Sequence, residues 1–191
     1  MTPYQKHKEK WADCRRCGLC EGRNRVVLAR GKLPCDLLII GEAPGASEDA
    51  LGVPFVGPAG RLLDRIIADA LGQDAASQYP KGLNVQPIRL AWTNLVACLP
   101  RDPDGEGKLS EPPKESIEAC APRLRELTMM AKPKLIVCVG GLAEKWVPKL
   151  LVGSRSIAIV HPAAILRAPI AAQGMMIMKC VVTLATALEE L

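Results

Sequence analysis

Four short apolar runs, each closing on a glycine or polar residue, constrain this chain most: DLLIIGEAPG, RLAWTNLVAC, KLIVCVGG and IAIVHPAA. Such runs, bounded by turn residues, read as strands at Leu37–Ile40, Leu90–Val96, Leu135–Val139 and Ile157–Val160. Between and after them apolar residues recur at helical spacing, over Gly60–Leu71, Lys114–Met130, Leu142–Leu151 and Met178–Glu190. Apolar strands alternating with helices predict an α/β fold: a three-layer α/β/α sandwich with a central, mainly parallel four-stranded sheet. Only 3% of the 191 residues are aromatic, so Leu, Ile, Val and Ala must build the core of what is expected to be a single domain. The polar stretch Leu99–Pro113 reads as a surface loop. The start MTPYQKHKEKWADC has no apolar run, and the late run Gly174–Leu188 is broken by Lys179, short of the ~20 residues a membrane span needs. A cytoplasmic protein without a membrane partner is expected. The net charge of +5 suits a polyanionic partner without requiring one.

With no secretion signal, the eight cysteines are expected to stay reduced, and clustered ones read as metal ligands before disulfides. Cys14, Cys17 and Cys20 form C-x-x-C-x-x-C, a spacing at which two thiolates bind one centre without strain. Further ligands must come from Cys35, Cys98, Cys120, Cys138 or Cys180. Cys138 and Cys180 lie in apolar runs, where a small buried side chain is the simpler reading. Cys98 closes TNLVAC and Cys120 lies on the helical stretch KESIEACAPRLREL, so both can reach a shared site; Cys35, in a loop before a strand, is less well placed.

In an open α/β sheet, ligands bind beyond the carboxyl ends of the strands, where strand order reverses. That rule singles out GEAPGASED, TNLVAC and HPAAILR. Glu42 could orient a water from its glycine-rich loop, or be a solvated loop acid. Asn94, on an otherwise apolar strand, must be hydrogen-bonded, either to backbone or to an amide-like ligand edge. His161 directly follows a strand, as a hydrogen-bond donor or proton-transfer group would; the other histidine, His7, is assigned to a polar N-terminal tail. Phe55, the only phenylalanine, lies in GVPFVGPAG, where Pro54 and Pro58 stiffen the loop and suggest an exposed or ligand-facing ring.

In combination, CRRCGLCEGRNRVV, LLIIGEAPGASEDALGVPFVGPAGRLLD, TNLVAC, ESIEACAPRL, KPKLIVCVGGLA and HPAAILR resemble the family 4 uracil-DNA glycosylases, the iron-sulfur branch of the uracil-DNA glycosylase superfamily. The motifs run in family order from Cys14 to Arg167. The resemblance implies hydrolysis of the N-glycosidic bond of flipped-out deoxyuridine in DNA, which initiates base excision repair; an inactive DNA- or protein-binding relative is the alternative. It implies that Cys14, Cys17, Cys98 and Cys120 hold a [4Fe-4S] cluster that packs segment 1–35 on the domain, leaving Cys20 out. It also implies that Glu42 positions the attacking water, Phe55 stacks on the base, Asn94 reads the uracil edge and His161 meets the departing oxygen. Gly41 and Ala43 would present loop amides to the base, and Arg61 and Arg167 would contact DNA phosphates. The partner is uracil-containing DNA, single- or double-stranded; a monomer is expected, and nothing in the sequence points to a sliding-clamp contact. Cys98 and Cys120 stand 22 positions apart, several more than is usual in that family.

Overall fold

The computed structural model describes residues 1–72, 88–101 and 110–191; most of the expected surface loop, at 102–109, lies outside them. In chain order the elements are α1 (Pro3–Trp11), α2 (Leu19–Gly22), β1 (Arg30–Gly31), β2 (Leu37–Gly41), α3 (Ala46–Leu51), α4 (Pro58–Ala70) and β3 (Leu90–Asn94). They continue with α5 (Lys114–Ala131), β4 (Leu135–Val139), α6 (Gly141–Leu150), β5 (Ser156–Ile159), α7 (Pro162–Arg167) and α8 (Ile170–Leu188).

The strands form one sheet in the order β1-β3-β2-β4-β5. β2 pairs in parallel with β3 and β4, and β4 with β5. The mainly parallel sheet is as anticipated, but it has a fifth strand: β1 runs antiparallel to β3 at the edge and, at two residues, is too short to show a period. Successive strand residues point to opposite faces. Leu38, Ile40, Ile136 and Cys138 meet Leu124 of α5 and Val147 of α6, whereas Leu37, Ile39, Val137 and Val139 meet Leu63 of α4, Ile165 of α7 and Leu184 of α8. Both faces are covered, which is why β2 and β4 read as unbroken apolar runs.

Two readings of the sequence need correcting. The segment around His7 is no polar tail. Thr2 and Gln5 form a capping box that starts α1, and His7 and Trp11 bury against α5. His7 Nδ1 lies 3.1 Å from Glu126 Oε1, while Lys10 Nζ and Trp11 Nε1 donate to Glu126 Oε2 at 2.6 and 3.3 Å. The last helix starts eight residues earlier than its periodicity suggested, just after Pro169, and by length and composition alone it is apolar enough to cross a membrane. Here it packs on α4, α7 and β5 through Cys180 and Leu184, with Ile170, Met175, Met178 and Val182 exposed.

Candidate active site and cysteine cavity

The connection leaving β2 leads to β3 on one side of the sheet, and the connection leaving β4 leads to β5 on the other. Between them, beyond the carboxyl ends of the strands, opens a cleft of about 320 Å³ lined by Glu42, Ala43, Phe55, Asn94, His161 and Arg167. Four separate segments thus bring the sequence-selected residues together. Gly41 and Asn94 are register partners, and Leu95 N–H and Val96 N–H donate to the carbonyls of Gly41 and Glu42 at 2.9 and 3.2 Å, so the two strand ends are fastened where the site begins. Glu42 is half-buried. Loss of solvation, reinforced by the charge of Glu111, raises its carboxyl above the ordinary range.

Phe55 is buried rather than exposed: its ring belongs to the core face of α4 and also forms a wall of the cleft. Its backbone sits at φ 57°, a left-handed conformation that costs a phenylalanine energy and needs outside support. Glu48, the third residue of α3, supplies it. Its Oε1 accepts N–H bonds from Val56 and Gly57 at 3.0 and 2.8 Å. Gly60, in the first turn of α4, lies so close that any Cβ there would overlap the Phe55 carbonyl. Gly41 is similarly obligatory. A Cβ on it would stand 2.5 Å from both Asn94 Oδ1 and Phe55 Cζ, so its missing side chain lets amide and ring flank one spot.

His161 caps α7. Its Nδ1 accepts the N–H of Ala163 at 3.1 Å, which places the proton of the neutral ring on Nε2, a donor with no acceptor among the described residues. Burial, then the charge of Arg167, lowers its pKa against a smaller opposing effect of Glu48. The ring is therefore a neutral donor at pH 7.

The arginines divide. Arg167 is exposed at the cleft, whereas Arg61 donates to the Val56 carbonyl at 3.1 Å on the outer side of the loop. Arg155 precedes β5, at the opposite end of the sheet, and pairs with Glu190.

Cys14, Cys17, Cys98 and Cys120 line a second, much smaller cavity, of about 20 Å³, between the segment after α1, the exit of β3 and α5. Cys20 is not in its wall. Among the described residues, no three His, Cys, Asp or Glu side chains stand close enough to hold a single metal ion; the four thiols instead surround a space. Two cations face it. Arg23 Nη1 donates to Cys98 Sγ at 3.4 Å and Arg123 Nη2 to Cys120 Sγ at 3.5 Å. Burial pushes the Cys98 thiol up to about 11 against the pull of Arg23. Arg123 is 1% exposed and, among the described residues, has no carboxylate partner, and its buried Nε has no acceptor. A buried cation without a counter-charge is costly, so this donor set fits an anionic group bound by thiolates. Cys35, Cys138 and Cys180 are core side chains, with Cys35 pushed up to about 12 and Cys138 to about 11 by burial.

Sequence reasoning missed Glu48, Asp49 and Arg123. Asp49 is fully buried and accepts from the backbone N–H of Asn24 and Arg25 and from Asn24 Nδ2, at 2.7 to 3.3 Å, so it binds the N-terminal segment to α3. A charged pair two residues beyond GEAPG, and an Arg three positions after a ligand-type Cys on one helix, were the available signals.

Residues 29–185 match the family model of the Uracil DNA glycosylase superfamily. Curated relatives named type-4 uracil-DNA glycosylase include proteins from Sulfurisphaera tokodaii, 32% identical over 77% of this chain and 59% of the relative, and Pyrobaculum aerophilum, 35% identical over 77% and 65%. One from Archaeoglobus fulgidus is 30% identical over 82% of this chain and 79% of the relative. The chain thus spans less than two thirds of the length of the first two.

Proposed function

The chain belongs to the type-4 branch of the Uracil DNA glycosylase superfamily, and from that membership we propose that it hydrolyses the N-glycosidic bond of deoxyuridine flipped out of DNA. The products are free uracil and an abasic site, the starting point of base excision repair. The observation that carries this reading is the convergence of Glu42, Phe55, Asn94 and His161 on one cleft.

An enzyme that cleaves a base from DNA must take it out of the stack, at a cost of a few kcal/mol that is smallest for mispaired uracil. The extruded base would lie against the Phe55 ring with its edge at the Asn94 amide, which offers a donor and an acceptor side by side. As the bond breaks, positive charge grows on the sugar and negative charge on the uracil oxygen. The Nε2–H of neutral His161 would donate to that oxygen, so its help is greatest in the transition state. Glu42, as a carboxylate, would hold the attacking water, and Arg167 lies where it could meet a phosphate beside the extruded nucleotide.

Cys14, Cys17, Cys98 and Cys120 would hold a [4Fe-4S] cluster. The spread of the thiols around a space, with two cations facing it, favours a cluster over a lone zinc ion. When bound, it supplies structural cross-linking, joining segment 1–35 to β3 and α5 within one domain. The purified protein should release uracil from single-stranded and U:G substrates; failure on both would remove the proposal.

A further inference from the structure

Arg123 connects the two sites. It leaves α5 one turn beyond Cys120 and reaches the exit of β3, fully buried. Nη1 donates to Thr93 Oγ1 at 2.8 Å, and Nη2 to the main-chain carbonyls of Asn94 and Leu95 at 2.7 and 2.8 Å, with Cys120 Sγ at 3.5 Å. The N–H groups of Leu95 and Val96 are meanwhile taken by Gly41 and Glu42. The peptide carrying Asn94 is therefore held from both sides, by the neighbouring strand and by one guanidinium.

We infer that Arg123 is both the counter-charge of the group held by the four cysteines and the positioning residue that aims Asn94 at the base. The inference rests on the proposed cluster and on uracil recognition by Asn94. A planar guanidinium is required for the second role, because several donors in a fixed plane must reach one sulfur, one hydroxyl and two carbonyls at once. A lysine keeps the charge but not that fork. The two roles thus come apart by substitution: the charge holds the anionic group, and the fork sets the direction of the Asn94 amide.

The test uses the iron-loaded full chain with Arg123→Lys, Arg123→Met and each combined with Asn94→Ala. Iron release to a chelator, the midpoint potential of the visible chromophore, and the inhibition constant of free uracil are measured beside kcat and KM. Arg123→Met should lose iron about tenfold faster and shift the potential downward, since a cation and an N–H···S bond leave the cluster. Arg123→Lys should retain iron yet weaken uracil inhibition about tenfold, and this loss should vanish in the Asn94→Ala background. Unchanged uracil inhibition in Arg123→Lys, or an equal loss with and without Asn94, overturns the positioning role. Unchanged iron retention and potential in Arg123→Met overturn the counter-charge role; if that variant does not fold, loss of iron from Arg123→Lys as fast as from a Cys120→Ala protein does so. A wild-type protein that binds no iron or releases no uracil would instead fail the underlying function.

Discussion

Glu48 Oε1 accepts the N–H of Gly57 at 2.8 Å and that of Val56 at 3.0 Å, and through these two bonds α3 holds the Phe55 loop in its left-handed turn. A glutamine oxygen can accept both bonds, whereas alanine strands two amides at about 1–3 kcal/mol each. Glu48→Gln should therefore keep most uracil release, and Glu48→Ala should lose at least about tenfold in kcat/KM. If Gln is as damaging as Ala, the carboxylate charge matters and the clamp does not.

Gly41→Ala places a methyl between Asn94 Oδ1 and Phe55 Cζ, each 2.5 Å from the new carbon. The ring and amide must part, so the variant should stay folded by circular dichroism while uracil inhibition weakens by about 10²-fold. Wild-type inhibition would mean that the ring and amide do not frame the base.

The pH profile follows from two opposed shifts. Glu42 titrates above the ordinary value of about 4.3 and His161 below about 6.5. In the proposed reaction Glu42 acts as a carboxylate, so kcat/KM for uracil release should fall as pH drops through the raised Glu42 value. His161→Ala should lower the plateau about 10²-fold, the cost of losing one oxyanion donor, without moving that limb. For stability the signs differ. Unfolded His161 takes up its proton near pH 6.5 and the folded residue only lower, so its contribution is lost as pH falls from about 6.5 through the folded value. Glu42, raised on folding, costs stability as pH rises above about 4.3. Chemical denaturation across this range, with His161→Ala and Glu42→Gln as references, checks both directions.

Cys20 stands outside the cavity that Cys14 lines. Cys20→Ala should bind iron like wild type, and Cys14→Ala should lose most of its visible absorption and unfold at lower temperature. Equal iron loss in both would redraw the ligand set.

The four long strands were legible to within two residues because each carries a short apolar stretch, fully buried in β2 and β4. β1 was not, since two residues carry no period, and α1 was not, since it buries only His7 and Trp11 on an otherwise polar surface. Glu42, Asn94 and His161 were legible because each follows or ends a strand on the ligand-binding side of the sheet. Phe55 misled on exposure: nothing local says that a proline-flanked loop will fold its ring against Gly41 while its backbone packs on Gly60. Arg123 and Asp49 stayed hidden because a charge in the sequence reads as solvent-facing, and only tertiary contacts reveal a buried one.

Four segments assemble the cleft proposed to excise uracil. Single-turnover release of uracil from U:G duplex DNA by the iron-loaded protein, compared with Glu42→Ala, tests it most directly. The wild type should yield a free base and an alkali-labile strand, and Glu42→Ala a rate lower by at least about 10²-fold while DNA binding persists. Equal rates from the two proteins, or intact substrate after prolonged incubation with the wild type, would contradict it.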